Sequence, residues 1–324
     1  MSTARYFLIG AAALFAVIGA IGWFKRAPKP SAAAPLVQEI PLPEKPAEAL
    51  FAIAAAPTKS EAAPADPSPI PEVDRIQQLF AHDSSKLPIV ETLSYTSRVP
   101  WLKGRPAWIA DYASHFETSR HFIARSLNKK PDYFSQKVGP GDKFNVFKKE
   151  ANLKFHMLID LSRSKMWFYY IDLDSGERVL LKTYRVGVGR RDDGKKSGYL
   201  TPVGKYELGE KVAIYKPGTM GFFQDQKTEM IRVFGTRWIP FEKEIEGCSE
   251  PAKGLGIHGT PWTVDPLSGQ LAEDRSKIGK YDSDGCVRLS QEDMEEIFAI
   301  VITKPTTVEM VRDFHEAKLP GVEK

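Results

Sequence analysis

The chain has 324 residues, 42% of them hydrophobic, and a formal net charge of +4 from 45 basic and 41 acidic side chains. That length holds one or two globular domains with room for extra segments. The mild positive charge permits attraction to an anionic surface, but no basic run interleaved with aromatics is present, so nucleic acid is excluded as a partner.

Tyr6 to Phe24 is nineteen residues without a charge. As a helix rising about 1.5 Å per residue it just spans a bilayer core. Trp23 and Phe24 suit the membrane interface. Lys25 and Arg26 follow at once, a poor approach to a cleavage site. Residues 6–24 therefore read as a retained transmembrane helix, and the Ala32-Ala33-Ala34 run leaves a cleaved signal open. Arg5 precedes the segment, while Lys25, Arg26 and Lys29 follow it, so the positive-inside bias alone would place the downstream chain in the cytoplasm.

Residues 27–72 hold eleven of the chain's 24 prolines, with Ala and scattered Glu and Lys between them. Proline at this density denies helix and sheet bonding, and a semi-stiff spacer is expected. From Val73 the composition turns globular, with 73–91 as a connecting segment. Trp108, Ile109, Tyr112, Ala113 and Phe116 recur at helical spacing. Thr118 or Ser119 caps a second short helix carrying Phe122, Ile123 and Leu127 on one face. Gly139-Pro140-Gly141-Asp142 is a turn into a brief alternating stretch, Phe144 to Phe147.

The remainder is strand-rich. Phe155 to Leu161 and Met166 to Ile171 flank a four-residue connection and predict a hairpin. Val179 to Val188 is a third strand, and Thr201-Pro202-Val203-Gly204 turns into a fourth at Lys205 to Leu208. One helix is expected after Ser290, which pairs with Asp293 as a capping box and leads Met294, Ile297, Phe298 and Val301 along one face. Lys304-Pro305 stops it, and Thr307 to Val311 is a late β-branched strand. A mostly β domain with a docked helix results.

Two motifs carry the chemistry. Gly256-Ile257-His258-Gly259-Thr260 and Ser283-Asp284-Gly285-Cys286-Val287-Arg288-Leu289 read as a thiol nucleophile, Cys286, and its base, His258. There are only two cysteines, Cys248 and Cys286. An exported chain would ordinarily pair them as a disulfide. The setting of Cys286 is far more distinctive than that of Cys248, so Cys286 is read as free and reactive, its thiol drawn toward thiolate by the histidine. Gly285 permits a tight approach, and the N–H groups of Gly285 and Cys286, with Asp284 as a third candidate, can form an oxyanion hole. Arg288 shares a strand face with Cys286 and either holds a substrate carboxylate or supports the loop through a salt bridge. Thr260 and Ser283 belong to the substrate-binding side and brace the two loops through their hydroxyls. No short-spaced ligand pair such as C-x-x-C is present, and neither a metal nor a cofactor is expected.

The order LIDLSRSKMWFYY, TPVG, IHGT, SDGCVRL resembles the L,D-transpeptidase catalytic domain, the YkuD or ErfK family, over about residues 153–312, leaving 313–324 as a tail. The resemblance implies a β-sandwich-like fold and a cysteine acyl-enzyme on peptidoglycan stem peptides. Cys286 would attack the amide after meso-diaminopimelate, D-alanine would leave, and a neighbouring stem's amine would take the acyl group. The carbonyl of Gly259 would orient His258. The alternatives are an L,D-carboxypeptidase, a protein-to-wall attachment enzyme, or a non-catalytic peptidoglycan-binding anchor. Residues 92–148, through IADYASHFETSRHFIARSLN and VGPGDKFNVF, resemble a LysM module, a small α/β unit that implies binding to glycan strands. A cell-wall substrate overrides the charge bias at the N-terminus. The expected placement is a single-pass inner-membrane protein with the catalytic domain in the periplasm.

Two departures from the family stand out. Asp284 occupies a position where many members have histidine, and is expected to point outward or to accept the incoming amine. The 27 residues between His258 and Cys286 are more than usual, and the polar insert is expected to form a lid or wall, as is the stretch Lys211 to Lys227.

Overall fold

The computed structural model describes residues 70–128 and 137–324. The expected membrane helix at 6–24 and nearly all of the proline-rich spacer lie outside the described residues. Among the described residues no helix is long and apolar enough to cross a membrane.

The first elements form a small strand–helix–helix–strand unit: β1 (Val90–Ser94), α1 (Ile109–His115), α2 (Arg120–Asn128) and β2 (Lys143–Phe147). The two strands pair antiparallel, Val90 opposite Phe147 and Ser94 opposite Lys143. The Asp111 carboxylate accepts the Trp108 N–H at 2.8 Å and closes the first turn of α1. Ser119 accepts the Phe122 N–H at 3.0 Å and caps α2. Tyr112, Ile123, Phe144 and Val146 make the unit's own core, while Phe122 and Phe147 reach into the main one.

The rest of the chain runs through β3 (Leu153–Asp160), β4 (Lys165–Asp172), β5 (Glu177–Arg185), β6 (Val188–Gly189), β7 (Gly204–Leu208), β8 (Ala213–Ile214), β9 (Met220–Phe223), β10 (Gln226–Glu229), α3 (Ile231–Phe234) and β11 (Arg237–Glu246). It continues through β12 (Gly256–Gly259), β13 (Trp262–Val264), β14 (Leu271–Glu273), β15 (Tyr281–Ser283), β16 (Val287–Leu289), α4 (Gln291–Val301), β17 (Thr306–Val311) and β18 (Val322–Glu323). Ten strands form one sheet in the order β16-β12-β11-β7-β17-β3-β4-β5-β18, with β8 on the side of β11. Hydrogen bonding is continuous along this curled sheet, so the layers implied by a sandwich belong to one sheet rather than two.

Alternation on the strands sorts the sheet's faces. Phe155, Met157 and Ile159 of β3, with Met166, Phe168 and Tyr170 of β4, face the main core, which α4 fills with Met294, Ile297, Phe298 and Val301. Each such buried side chain contributes on the order of 1.5–3 kcal/mol. Residues expected only to connect, Ile76, Leu79, Phe80, Leu87 and Ile89, are part of this core. Trp167, Tyr169 and Leu180 point to the opposite face, covered by Ile70, Val73, Phe314 and Leu319. The expected tail is thus packed, and its β18 runs parallel to β5. The small unit rests on α4: Ser119 donates to the Ala299 carbonyl, and His121 meets Phe298 edge-on at 5.2 Å.

Candidate active site

The two motifs meet at one end of the sheet. β12 and β16 pair in parallel, with Ile257 opposite Val287, His258 opposite Arg288 and Gly259 opposite Leu289. Ile257, Val287 and Leu289 face the main core. His258 and Arg288 therefore point to the other face, and Cys286, two residues before Arg288, lies on that same side. In extended chain, one strand spacing across and two residues along separates Cα atoms by about 8 Å. The sequence separates the two residues by an insert, and the parallel pairing closes that gap.

His258 is buried. Its Nδ1 lies 2.7 Å from the Gly259 carbonyl oxygen, which as an acceptor fixes the proton on Nδ1 and leaves the lone pair on Nε2. Phe234 packs edge-on against the ring at 5.3 Å and Trp238 lies at 5.7 Å. Phe223 and Tyr215 back Phe234 at 5.6 and 5.9 Å. Burial in this aromatic wall, followed by the nearby Arg288 charge, pushes the imidazole down to about 3, against the pull of the Gly259 and Phe234 backbone. The ring is neutral at ordinary pH.

Both cysteines are free thiols. Cys286 keeps partial solvent contact, and its Sγ is 3.8 Å from the Gly254 carbonyl oxygen. Burial pushes its thiol up to about 11; the Gly256 N–H and Arg288 act in the opposite direction, and Asp284 adds to the rise. Burial thus disfavours the thiolate of Cys286, whereas the sequence suggests a histidine neighbour that favours it.

The loop that carries Cys286 is bound at several points. Ser283 Oγ donates to the Cys286 carbonyl at 2.6 Å and accepts the Gly285 N–H at 3.2 Å. The Gly285 amide, expected to line the oxyanion hole, is thereby engaged, and the Cys286 amide is the freer donor. Gly285 has φ +122°, and a Cβ there would meet Leu255 Cδ2 at 2.9 Å and the Leu200 carbonyl oxygen at 3.0 Å. Thr201, which the sequence marks only as part of a turn, is buried behind the loop. Its hydroxyl accepts the Gly189 N–H at 2.7 Å and donates to the Gly285 carbonyl at 2.9 Å.

Asp284 points outward, its side chain 66% exposed, and meets Arg190 Nη2 at 2.6 Å. Arg288 donates through Nη1 to Asp282 Oδ1 at 2.5 Å, and its buried Nε has no partner among the described residues. Thr260 is buried and donates to Glu273 Oε1 at 2.7 Å. Glu273, on β14 of the insert, also accepts the Gln291 N–H at the start of α4. The insert forms the β13–β14 hairpin, Trp262 opposite Glu273 and Val264 opposite Leu271, and this carboxylate clamps it down. The stretch 211–227 holds β8, β9 and the start of β10, and its Phe223 joins the aromatic wall.

Residues 154–310 match the family model of the YkuD L,D-transpeptidase catalytic domain. No curated protein matches the chain. Among solved structures it is similar to the helical cell shape determining protein Pgp2 from Campylobacter jejuni, with 20% identity, a TM-score of 0.34, and coverage of 52% of this chain and 50% of that one. Bd1075 of Bdellovibrio bacteriovorus gives 15% identity and a TM-score of 0.31, covering 49% of this chain and 48% of that one. L,D-transpeptidase 1 of Mycobacterium tuberculosis gives 14% identity and a TM-score of 0.25, covering 53% and 68%. The chain spans about half the length of Pgp2 and Bd1075. Residues 154–310 are a YkuD-family L,D-transpeptidase catalytic domain.

Proposed function

We propose that the chain is a peptidoglycan L,D-transpeptidase that links diaminopimelate residues through an acyl-enzyme on Cys286. The observation that supports this reading is the parallel pairing of β12 with β16, which brings the His258 strand beside the strand that starts right after Cys286. The Cys286 thiol passes its proton to His258 Nε2 as sulfur attacks the amide carbonyl. The C–N bond breaks, and His258 returns the proton to the departing D-alanine amine. An acceptor amine then gives a proton to His258 while its nitrogen bonds the thioester carbonyl, the C–S bond breaks, and the thiol is reprotonated. The Cys286 N–H stabilises the tetrahedral oxygen. Burial, with the Arg288 charge second, disfavours the imidazolium, and Arg288 favours negative charge on sulfur.

The strand–helix–helix–strand order of residues 90–147 supports a LysM-like glycan contact that holds the domain on its polymer. A periplasmic site of action, tethered by residues 6–24, follows from the same reading.

Purified protein incubated with tetrapeptide muropeptides, with products resolved by mass, tests the assignment. Cross-linked dimers are expected. Tripeptide monomers alone would indicate trimming, and unchanged substrate would defeat both enzymatic readings. C286A must abolish turnover.

A further inference from the structure

The lip of the site carries an exposed ion pair that the acyl-transfer chemistry above does not use. Arg190 follows β6, which runs parallel to β15 just before the nucleophile loop. Its N–H donates to the Ser283 carbonyl at 3.0 Å and its carbonyl accepts the Leu200 N–H at 2.8 Å. The base of this side chain is therefore fixed to the loop that holds Cys286. Asp284 is fixed too, between Ser283 and Gly285, whose mutual bond closes the turn. Their heads meet at 2.6 Å with side chains 56% and 66% exposed.

The other cation of the loop is in a different situation. Arg288 is 15% exposed and held by Asp282, which also binds Lys277 at 2.9 Å. That cluster braces the loop and has little freedom to exchange partners. The Arg190–Asp284 pair has such freedom, because an ion pair so exposed to water stabilises the fold only weakly. A ligand that satisfies both charges can open it at small cost. The ligand class that does so is a zwitterion: a carboxylate for the guanidinium fork and an ammonium for the Asp284 carboxylate. Asp284 stands two residues from Cys286, so the ammonium end arrives beside Cys286, where loss of one proton to solvent leaves the neutral amine that the transfer step uses.

We propose that Arg190 and Asp284 together form a recognition site for the zwitterionic amino-acid end of the acceptor, the guanidinium taking its carboxylate and the aspartate its ammonium. The identification of that ligand as an acceptor rests on the transpeptidase reading, in which the incoming diaminopimelate side chain ends in such a group. The site explains why an acid stands next to a cysteine nucleophile.

Calorimetric titration of the full-length chain with free meso-diaminopimelate tests the site without turnover. Wild type is expected to bind diaminopimelate at least tenfold more tightly than its diamide, which keeps both ammonium groups and lacks the carboxylates. R190Q is expected to bring the two ligands within about twofold, and D284N to weaken diaminopimelate at least fivefold. No binding by wild type, or affinities within twofold of wild type in both variants, would overturn the proposal. Acylation of Cys286 by a tetrapeptide stem, read by mass on the same preparations, tests the enzymatic reading separately. Acyl-enzyme without diaminopimelate binding overturns the Arg190–Asp284 site alone, and binding without acyl-enzyme overturns the acyl-transfer reading alone.

Discussion

His258 turns its Nδ1 to the carbonyl oxygen of Gly259, the next residue in its own chain, at 2.7 Å. An orienting group on the same strand needs no carboxylate, so the base carries no permanent counter-ion. Burial, and after it the Arg288 charge, makes an imidazolium costly; in the proposed mechanism the proton therefore moves to His258 only as the thiol attacks.

This predicts how Cys286 reacts in the free protein. With its thiol pushed up to about 11, the thiolate is scarce at neutral pH. Alkylation of Cys286 by iodoacetamide should be slow at pH 7 and rise about tenfold per pH unit toward pH 11. Mapping by mass separates it from Cys248. In R288Q the curve should move to higher pH, because a cation favouring the thiolate is gone. A wild-type rate that levels off near pH 7 would contradict the neutral resting pair.

The same burial makes stability depend on acid. His258 has a folded value pushed below its usual 6.5 to about 3, so the unfolded chain binds the proton first as pH falls. Its contribution is fully present above pH 6.5 and is lost progressively from there toward pH 3. Denaturant titrations should show a smaller loss between pH 6.5 and 4 in H258Q than in wild type. Equal losses would show that His258 is not held neutral.

Thr201 is predicted to matter as much to activity as to folding. Its hydroxyl joins the Gly189 N–H to the Gly285 carbonyl. Thr201→Val keeps the shape but strands both groups, at a cost of about 1–3 kcal/mol. Melting should fall accordingly, and kcat should fall further than KM rises, because the displaced element is the nucleophile loop. Wild-type kcat in a destabilised variant would leave Thr201 a purely structural residue.

The elements legible in the sequence were those set by local pattern. The β3–β4 hairpin follows from two apolar runs around Ser162 to Lys165, and α4 from Ser290 and the spacing of Met294, Ile297 and Phe298. What local pattern cannot supply is long-range pairing. The parallel contact of β12 with β16 spans the insert, and the Arg190–Asp284 pair joins positions 94 apart in sequence. Thr201 hid in a turn, and Glu273 in an acidic stretch of the insert. The short stretch 76–89 reads as a connection because its apolar residues have no clear period, yet they are buried by the sheet and α2.

Gly285 tests how tightly the loop is fitted. Alanine there meets both a positive φ and close neighbours. The conformational cost alone is about 1–3 kcal/mol, and relief of the Leu255 and Leu200 contacts must shift Cys286. G285A is expected to fold with a lowered melting temperature and to form acyl-enzyme at least tenfold more slowly. Wild-type acylation by G285A would mean that the loop is looser than its bonds imply.

Glu273 decides whether the insert is a fixed wall or a moving lid. Its Oε1 accepts from both Thr260 and the Gln291 amide, and its other oxygen meets Arg275 at 2.8 Å. Thr260 is the residue after Gly259, so the clamp also steadies the carbonyl that orients His258. Removing it in E273A leaves the buried Thr260 hydroxyl and the helix amide without their acceptor, again worth about 1–3 kcal/mol. Hydrogen exchange should quicken across 261–274 in E273A, and kcat should drop as His258 loses its fixed partner. E273Q keeps an acceptor oxygen and should recover much of both. Exchange in E273A as slow as in wild type would show that the hairpin is held by its own pairing and that the carboxylate positions nothing.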